Sequence, residues 1–245
     1  MTREELLQNA KPILFNTEMV RAILEGRKTV TRRICKDGNA YTVPDMGFFD
    51  SEKRTYAIHN YCDKSCTYEF KISTAERKCP ICPEDVLYVR ETWNICNMDI
   101  EQPCITFIYK ASEPESEYAN TVKVAQEVYE KYADKMCEKN PEWRPSIHMP
   151  KDAVRIFLKV KSVRVERLQE CGKGWCLDIE NEGVVTPQDP ILYVSDDAYH
   201  DSLREEFRKL WNSTINKADI DAYGWDANPY VWVIEFERIQ PEKEV

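Results

Sequence analysis

Residues 152–168, DAVRIFLKVKSVRVERL, hold the strongest strand signal in the chain. Val154, Ile156, Leu158 and Val160 alternate with Arg155, Phe157, Lys159 and Lys161, which is the two-residue period of a half-buried strand. The alternation slips by one at Ser162. Such a slip predicts a β-bulge or two strands in succession, a device of small barrels.

Outward from this strand, DVLYVRETW (85–93) and CITFIYKA (104–111) read as short strands rich in branched and aromatic residues. YVWVIEFERI (230–239) reads as a closing strand, apolar on both faces as far as Phe236. Helices separate these strands. In ILFNTEMVRAILEG (13–26) Asn16 is placed as N-cap, Phe15 as a staple onto Val20, Glu18 in the first turn and Gly26 as the left-handed terminator. In SLREEFRKLW (202–211) Ser202 and Glu205 form the pattern of a capping box, with Leu203, Phe207, Leu210 and Trp211 on one face. Between Pro114 and Pro141, Val122, Ala125, Val128, Tyr129, Tyr132 and Met136 recur at helical spacing. Strands separated by helices without regular alternation, and without a glycine-rich phosphate loop, predict an α+β barrel rather than a doubly wound sheet. One domain is expected over 1–245, carrying an irregular cysteine-rich insertion at 36–83 and a helical one at 113–141.

A chain of 245 residues, 42% of them hydrophobic, is long enough to bury a core. No apolar run reaches the roughly 18 residues of a membrane span, and the first residues do not resemble a secretory signal. A soluble, cytoplasmic protein with no membrane association is therefore expected. Ten cysteines in that setting predict metal ligation or simple burial rather than a disulfide framework. The net charge of −9 opposes indiscriminate binding to polyanions, so any nucleic-acid contact must come from local basic patches.

One such patch is ILEGRKTVTRR (23–33), where Arg27, Lys28, Arg32 and Arg33 stand beside Thr29 and Thr31 directly after a helix-ending glycine. A helix ending in EGRKTVTRR, followed in order by DVLYVRETW, RPSIHMPKDAVRIFLKVKSVRVERL, ENEGV and NPYVWVIEFERI, resembles the ASCH family of the PUA-like superfamily, in particular its larger phage- and prophage-associated members. The resemblance runs from about Lys11 to Ile239, leaving out the cysteine-rich segment and the central helix. It departs from the family at Glu84, where Gly usually precedes the Asp and where turn geometry is at stake. The resemblance implies a PUA-like small β-barrel flanked by helices and a ligand such as RNA, a nucleoside or a modified base. Some small members of the family remove the acetyl group from N4-acetylcytidine with a Lys, a Thr three residues on and a distant Glu. Others are proposed to bind or cleave RNA. Carried onto this chain, the three catalytic positions are Lys28, Thr31 and Glu182, with Glu180 close enough to compete for the last role.

Amide hydrolysis requires a nucleophile, a proton acceptor and a group that steadies the oxyanion. Thr31 is the candidate nucleophile, with Lys28 or Glu182 as its base. A basic Lys28 needs its pKa lowered by burial or by neighbouring cations, which Arg27, Arg32 and Arg33 supply. A charged Lys28 instead steadies the oxyanion while Glu182 activates Thr31 or a water. Arg27, Arg32 and Arg33 are also candidate ligand contacts, unless the motif is a solvated turn paired with surface acids.

A second basic region, 144–167, holds seven Lys or Arg against two acids. In it Arg144, Ser146 and His148 are candidate ligand contacts, and Lys159, Lys161 and Arg164 either track a phosphate backbone or form the wet face of a strand. Trp93, Trp143 and Tyr230 are candidate base-stacking rings. Protein partners are not indicated; a non-catalytic accessory role through protein contacts is the rival reading.

Cys62 and Cys66 are separated by three residues, Cys79 and Cys82 by two, with twelve residues between the pairs. Two such knuckles can deliver four thiolates to one tetrahedral Zn²⁺, which would supply folding energy to a stretch short of apolar residues. A four-thiolate site leaves no open position, so the zinc is expected to be structural. Two reduced pairs, or a redox pair at Cys79 and Cys82, are the alternatives, and His59 is a further candidate ligand.

Overall fold

The computed structural model describes residues 1–35, 48–50, 55–60, 73–78, 80–99, 101, 103–112, 120–137, 143–171, 177–187, 193 and 195–242. These residues form a mixed α+β fold of eleven strands and six helices. No helix among them is long and apolar enough to cross a membrane. The chain divides into two compact units that interleave in sequence: Met1–Gly26, Asp85–Lys159 and Glu237–Val245 form the first, and Arg27–Glu84 with Val160–Phe236 the second.

In the first unit, helix α1 (Arg3–Asn9) starts at a capping box between Thr2 and Glu5. Strand β1 (Lys11–Leu14) then runs parallel to β6 (Val86–Arg90), and the opening residues of β10 (Phe157–Arg167) pair antiparallel to β6 on its other side, Phe157 against Tyr88. Helix α2 (Thr17–Leu24) begins where the Asn16 side chain accepts from the Met19 amide and ends at Gly26, whose φ is 79°. A second, antiparallel sheet comprises β7 (Trp93–Asp99), β8 (Cys104–Tyr109) and β9 (Asn120–Lys123), with a bulge between Ile95 and Asn97. Helix α3 (Gln126–Cys137) follows. Leu6, Trp93, Phe107, Tyr109, Tyr132, Met149 and Phe157 share the core of this unit.

Among the described residues of the segment 113–141 expected to be helical, the helix is α3. Thr121 and Val122 lie in β9 opposite Thr106 and Ile105, because cross-strand pairing outweighs the weak helix preference of β-branched residues. At the start of β10, Ile156, Phe157 and Leu158 are all buried, so the expected alternation of wet and dry faces does not apply there. That stretch is covered on both faces.

In the second unit β10 continues beside β11 (Tyr230–Ile239), and β11 pairs antiparallel with β2 (Val30–Ile34), Thr31 opposite Ile234. Strands β3 (Phe48–Asp50), β4 (Thr55–Asn60) and β5 (Ser73–Lys78) make a separate antiparallel sheet within the segment expected to be irregular. Short α4 (Leu177–Glu180), long α5 (Asp196–Thr214) and α6 (Ile220–Tyr223) complete the unit. Val30, Leu168, Ile179, Leu203, Phe207, Trp211, Val231 and Val233 form its core.

Helix α5 begins six residues before the expected capping box. Ser195 is its cap, accepting from the Ala198 amide, and Asp196 and Asp197 complement the helix dipole. Ser202 is interior to the helix and hydrogen bonds with Tyr193. The strands do not close into a barrel among the described residues. The slip in pattern at Ser162 falls two residues beyond Val160, where β10 enters the second unit, and there it marks a change of surroundings.

Candidate functional site

The site grows from the end of α2. Gly26 turns the chain out of the helix, and Thr29 and Val30 donate their amides to the Asn181 carbonyl at 2.9 and 3.0 Å. This seats the turn Asn181–Glu182–Gly183, which follows α4, directly against the basic motif. Gly183 takes a positive φ of 78° there, and its carbonyl accepts from Arg27 Nη1 at 2.9 Å.

Lys28 and Glu182, 154 residues apart in sequence, bridge through their backbones and side chains. Lys28 Nζ donates to Glu182 Oε2 at 2.6 Å, to the Glu182 carbonyl at 2.9 Å and to the Val30 carbonyl at 2.8 Å. Both residues are buried, at 2% and 3% exposure. Burial pulls the Lys28 pKa below its ordinary value, Glu182 opposes this, and Arg33 and Arg32 add to it. Three acceptors around one nitrogen match the three protons of an ammonium; a neutral amine would turn its lone pair toward an oxygen. Lys28 is therefore held charged in the resting arrangement.

The other Glu182 oxygen accepts from Arg32 Nη1 at 3.0 Å. Arg32 is 4% exposed and also donates from Nη2 and Nε to Glu166 at 2.8 and 3.1 Å, with Asp178 3.6 Å away. Its guanidinium lies 5.8 Å from the Phe207 ring centre. Arg164 extends the chain of charges to Glu166, Asp178 and Glu235, and Ser162 closes it on Glu235 at 2.7 Å. Lys28, Arg32 and Arg164 thus face Glu182, Glu166, Asp178 and Glu235. The basic motif is compensated internally by carboxylates rather than displayed as an open cationic lip.

Strand alternation puts Thr31 and Arg33 on the face of β2 opposite Arg32. Thr31 is 2% exposed, and its hydroxyl takes no part in the hydrogen bonds between Lys28 and Glu182. Arg33 is half-buried, and burial lowers its pKa while Glu182 raises it. Glu180 is engaged elsewhere, accepting from the Tyr199 hydroxyl at 2.8 Å. Beside the network the Cys171 thiol is buried, and burial pushes its pKa to about 12.

Arg144, Ser146 and His148 belong to the first unit. Arg144 exchanges backbone hydrogen bonds with Trp93, donates from Nε to Asn94 at 3.2 Å and stacks its guanidinium over the Trp93 ring. Ser146 and His148 form the 3-10 turn that follows, with His148 exposed. Trp93 is buried in the core and Tyr230 is buried beneath Arg167, so neither offers an open stacking face. Trp143 is half-buried, with Lys110 6.0 Å from its ring centre.

Of the four cysteines read as zinc ligands, Cys82 is buried, and Cys62, Cys66 and Cys79 lie outside the described residues. Among the described residues no group of three or more His, Cys, Asp or Glu is arranged to hold a metal. Glu166, Asp178 and Glu235 were not expected at the site. Ser162, Arg164 and Glu166 share one face of β10 at two-residue spacing, which groups Glu166 with Arg164 but carries no signal for Asp178 or Glu235. No family model, curated protein or solved structure matches the chain.

Proposed function

We propose that the chain is an RNA- or nucleoside-associated protein of the PUA-like ASCH kind, and that its second unit binds a nucleobase or modified base beside Lys28 and Glu182. The observation that carries this reading is the buried Lys28–Glu182 contact of 2.6 Å, formed between segments that only the fold brings together. Burying a charged pair is costly compared with packing apolar residues of the same size. A donor and an acceptor held side by side suit the polar edge of a base.

The same arrangement supports removal of an acyl group from N4-acylated cytidine. A charged Lys28 suits oxyanion stabilisation rather than proton abstraction, provided it gives up one of its three present acceptors to donate to the oxyanion. Glu182 then takes a proton from a water, the water oxygen attacks the acyl carbon, and the C–N bond breaks as that proton passes to the amine, releasing cytidine and the carboxylic acid. With Thr31 as nucleophile the amine leaves first and a second water hydrolyses the Thr31 acyl ester to the acid, returning a proton to the Thr31 oxygen. A second reading, binding without turnover, is favoured by the occupancy of both Glu182 oxygens by Lys28 and Arg32.

Calorimetry with cytidine and N4-acetylcytidine, followed by chromatography of the incubated mixtures, tests both. Binding is expected to be saturable and lost in Lys28→Met; cytidine release abolished by Glu182→Gln marks the hydrolase. Absence of binding to either nucleoside refutes the proposal.

A further inference from the structure

Arg32 stands among the candidate ligand contacts by its place in the basic motif, yet its guanidinium is spanned between two carboxylates of the second unit. Both Glu182 oxygens are engaged by cations, and the two cations differ in kind. Oε2 accepts from Lys28 Nζ at 2.6 Å, and Oε1 from Arg32 Nη1 at 3.0 Å. The Lys28 ammonium is a compact charge on a flexible four-carbon stem, so its donors can be re-aimed.

The Arg32 guanidinium is planar, and its other edge is already fixed. Nε and Nη2 both donate to Glu166 Oε1, at 3.1 and 2.8 Å, with Asp178 3.6 Å from Nη2. The Phe207 ring centre lies 5.8 Å from its central carbon. Glu166 is held in turn through its second oxygen by Arg164 Nε at 3.2 Å, and Arg164 also reaches Asp178 and Glu235. A rigid fork with one edge fixed leaves its remaining nitrogen little choice of direction. Holding one oxygen of a planar carboxylate restricts the other, so Oε2 is the Glu182 oxygen that meets a ligand once Lys28 turns toward that ligand. Arg32 then keeps the carboxylate paired, which avoids the cost of an isolated buried charge.

We propose that Arg32 is a positioning residue: supported by Glu166, it holds Glu182 Oε1 so that Oε2 is presented to the ligand, and it does not itself touch the ligand. This inference rests on the nucleoside reading of Lys28 and Glu182.

Calorimetry with cytidine and N4-acetylcytidine on full-length Arg32→Gln, Arg32→Lys and Glu166→Gln tests it, with circular dichroism as the check of folding. Arg32→Gln is expected to weaken binding of whichever nucleoside the wild type takes by about tenfold. Arg32→Lys keeps a cation beside Oε1 and is expected to recover part of that loss, whereas a guanidinium needed only for packing would be missed equally in both variants. Glu166→Gln is expected to weaken binding by a smaller factor and to add nothing in the Arg32→Gln background, because it acts through Arg32. Wild-type affinity in folded Arg32→Gln, equal losses in Arg32→Lys and Arg32→Gln, or losses in Arg32→Gln and Glu166→Gln that multiply would each overturn the assignment. Should Arg32→Gln fail to fold, Glu166→Gln decides, and wild-type affinity there overturns it. A wild type that binds neither nucleoside refutes the nucleoside reading itself, and this assignment with it.

Discussion

Glu182 carries more of the buried network than Lys28 does. Removing Lys28 leaves Glu182 paired with Arg32, whereas removing the Glu182 charge leaves the buried Lys28 ammonium without a carboxylate and Arg32 with Glu166 and Asp178 only. Breaking a buried pair costs about 3–5 kcal/mol. In denaturant unfolding Glu182→Gln is therefore expected at or above that range and Lys28→Met below it; the reverse order would refute this account. The pH dependence has a definite sign. Burial lowers the Lys28 pKa from 10.5, so between the lowered value and 10.5 the unfolded chain binds more protons. Stability from this group rises with pH across that window and is lost as pH falls through the folded-state pKa. Comparing wild type with Lys28→Met between neutral pH and 10.5 checks the slope, which is expected to disappear in the variant. At the other end of the second unit's first segment, Glu84 adopts φ 69°, a left-handed conformation that costs a non-glycine residue about 1–2 kcal/mol. Glu84→Gly is expected to raise the unfolding midpoint, because relief of that strain exceeds the roughly 0.5–1 kcal/mol entropic penalty of a glycine. A lowered midpoint would show that the Glu84 side chain contributes more than its backbone loses. Lys28 and Glu182 were legible in sequence through a motif. Glu166, Asp178 and Glu235 were not, because alternation assigns a residue to a face without saying what lies over that face.

At the scale of elements, legibility followed apolar content. Strands β6, β8 and β11 are dense in branched and aromatic residues and were readable, as was α2 from its cap and terminal glycine. The hairpin of β4 and β5 was not, since TYAIHN and STAERK carry little apolar alternation and are held by backbone pairing from Thr55↔Lys78 to Asn60↔Ser73. That hairpin bears on the cysteine reading. Cys62 and Cys66 belong to the connection between the two strands, and Cys79 directly follows the second. Strand β5 spans six residues, about 20 Å of extended chain. We propose that Cys62, Cys66, Cys79 and Cys82 share one structural zinc. Elemental analysis of protein purified without chelator is expected to give about one zinc per chain, with tetrahedral sulfur coordination, and Cys79→Ser or Cys82→Ser to abolish it. Wild-type protein that is free of zinc yet unfolds cooperatively would exclude the site.

For the whole molecule, the decisive feature is that neither compact unit is a continuous piece of chain. The path passes between them at residues 26, 84, 159 and 236, so each unit is assembled from separated segments of the chain. Periodicity describes segments and carries no information on which distant segments share a core, so this division was not readable from the sequence. The longest continuous stretch of the first unit, residues 85–159, contains Tyr88, Trp93, Phe107, Tyr109, Met149 and Phe157, most of that core. It lacks Leu6 and Ala10, which pack in the same cluster, and β1, which pairs with Leu87–Arg90 of β6. Alone it would expose an unpaired edge of β6 beside an incomplete core, a combination that favours association over folding. The fragment 85–159 is thus expected to show no cooperative thermal transition and poor amide dispersion by NMR. Joining residues 1–26 to it through a flexible linker restores the missing helix and strand, and dispersion is expected to return. Cooperative unfolding of 85–159 by itself would mean that α1 and β1 decorate a core that does not need them.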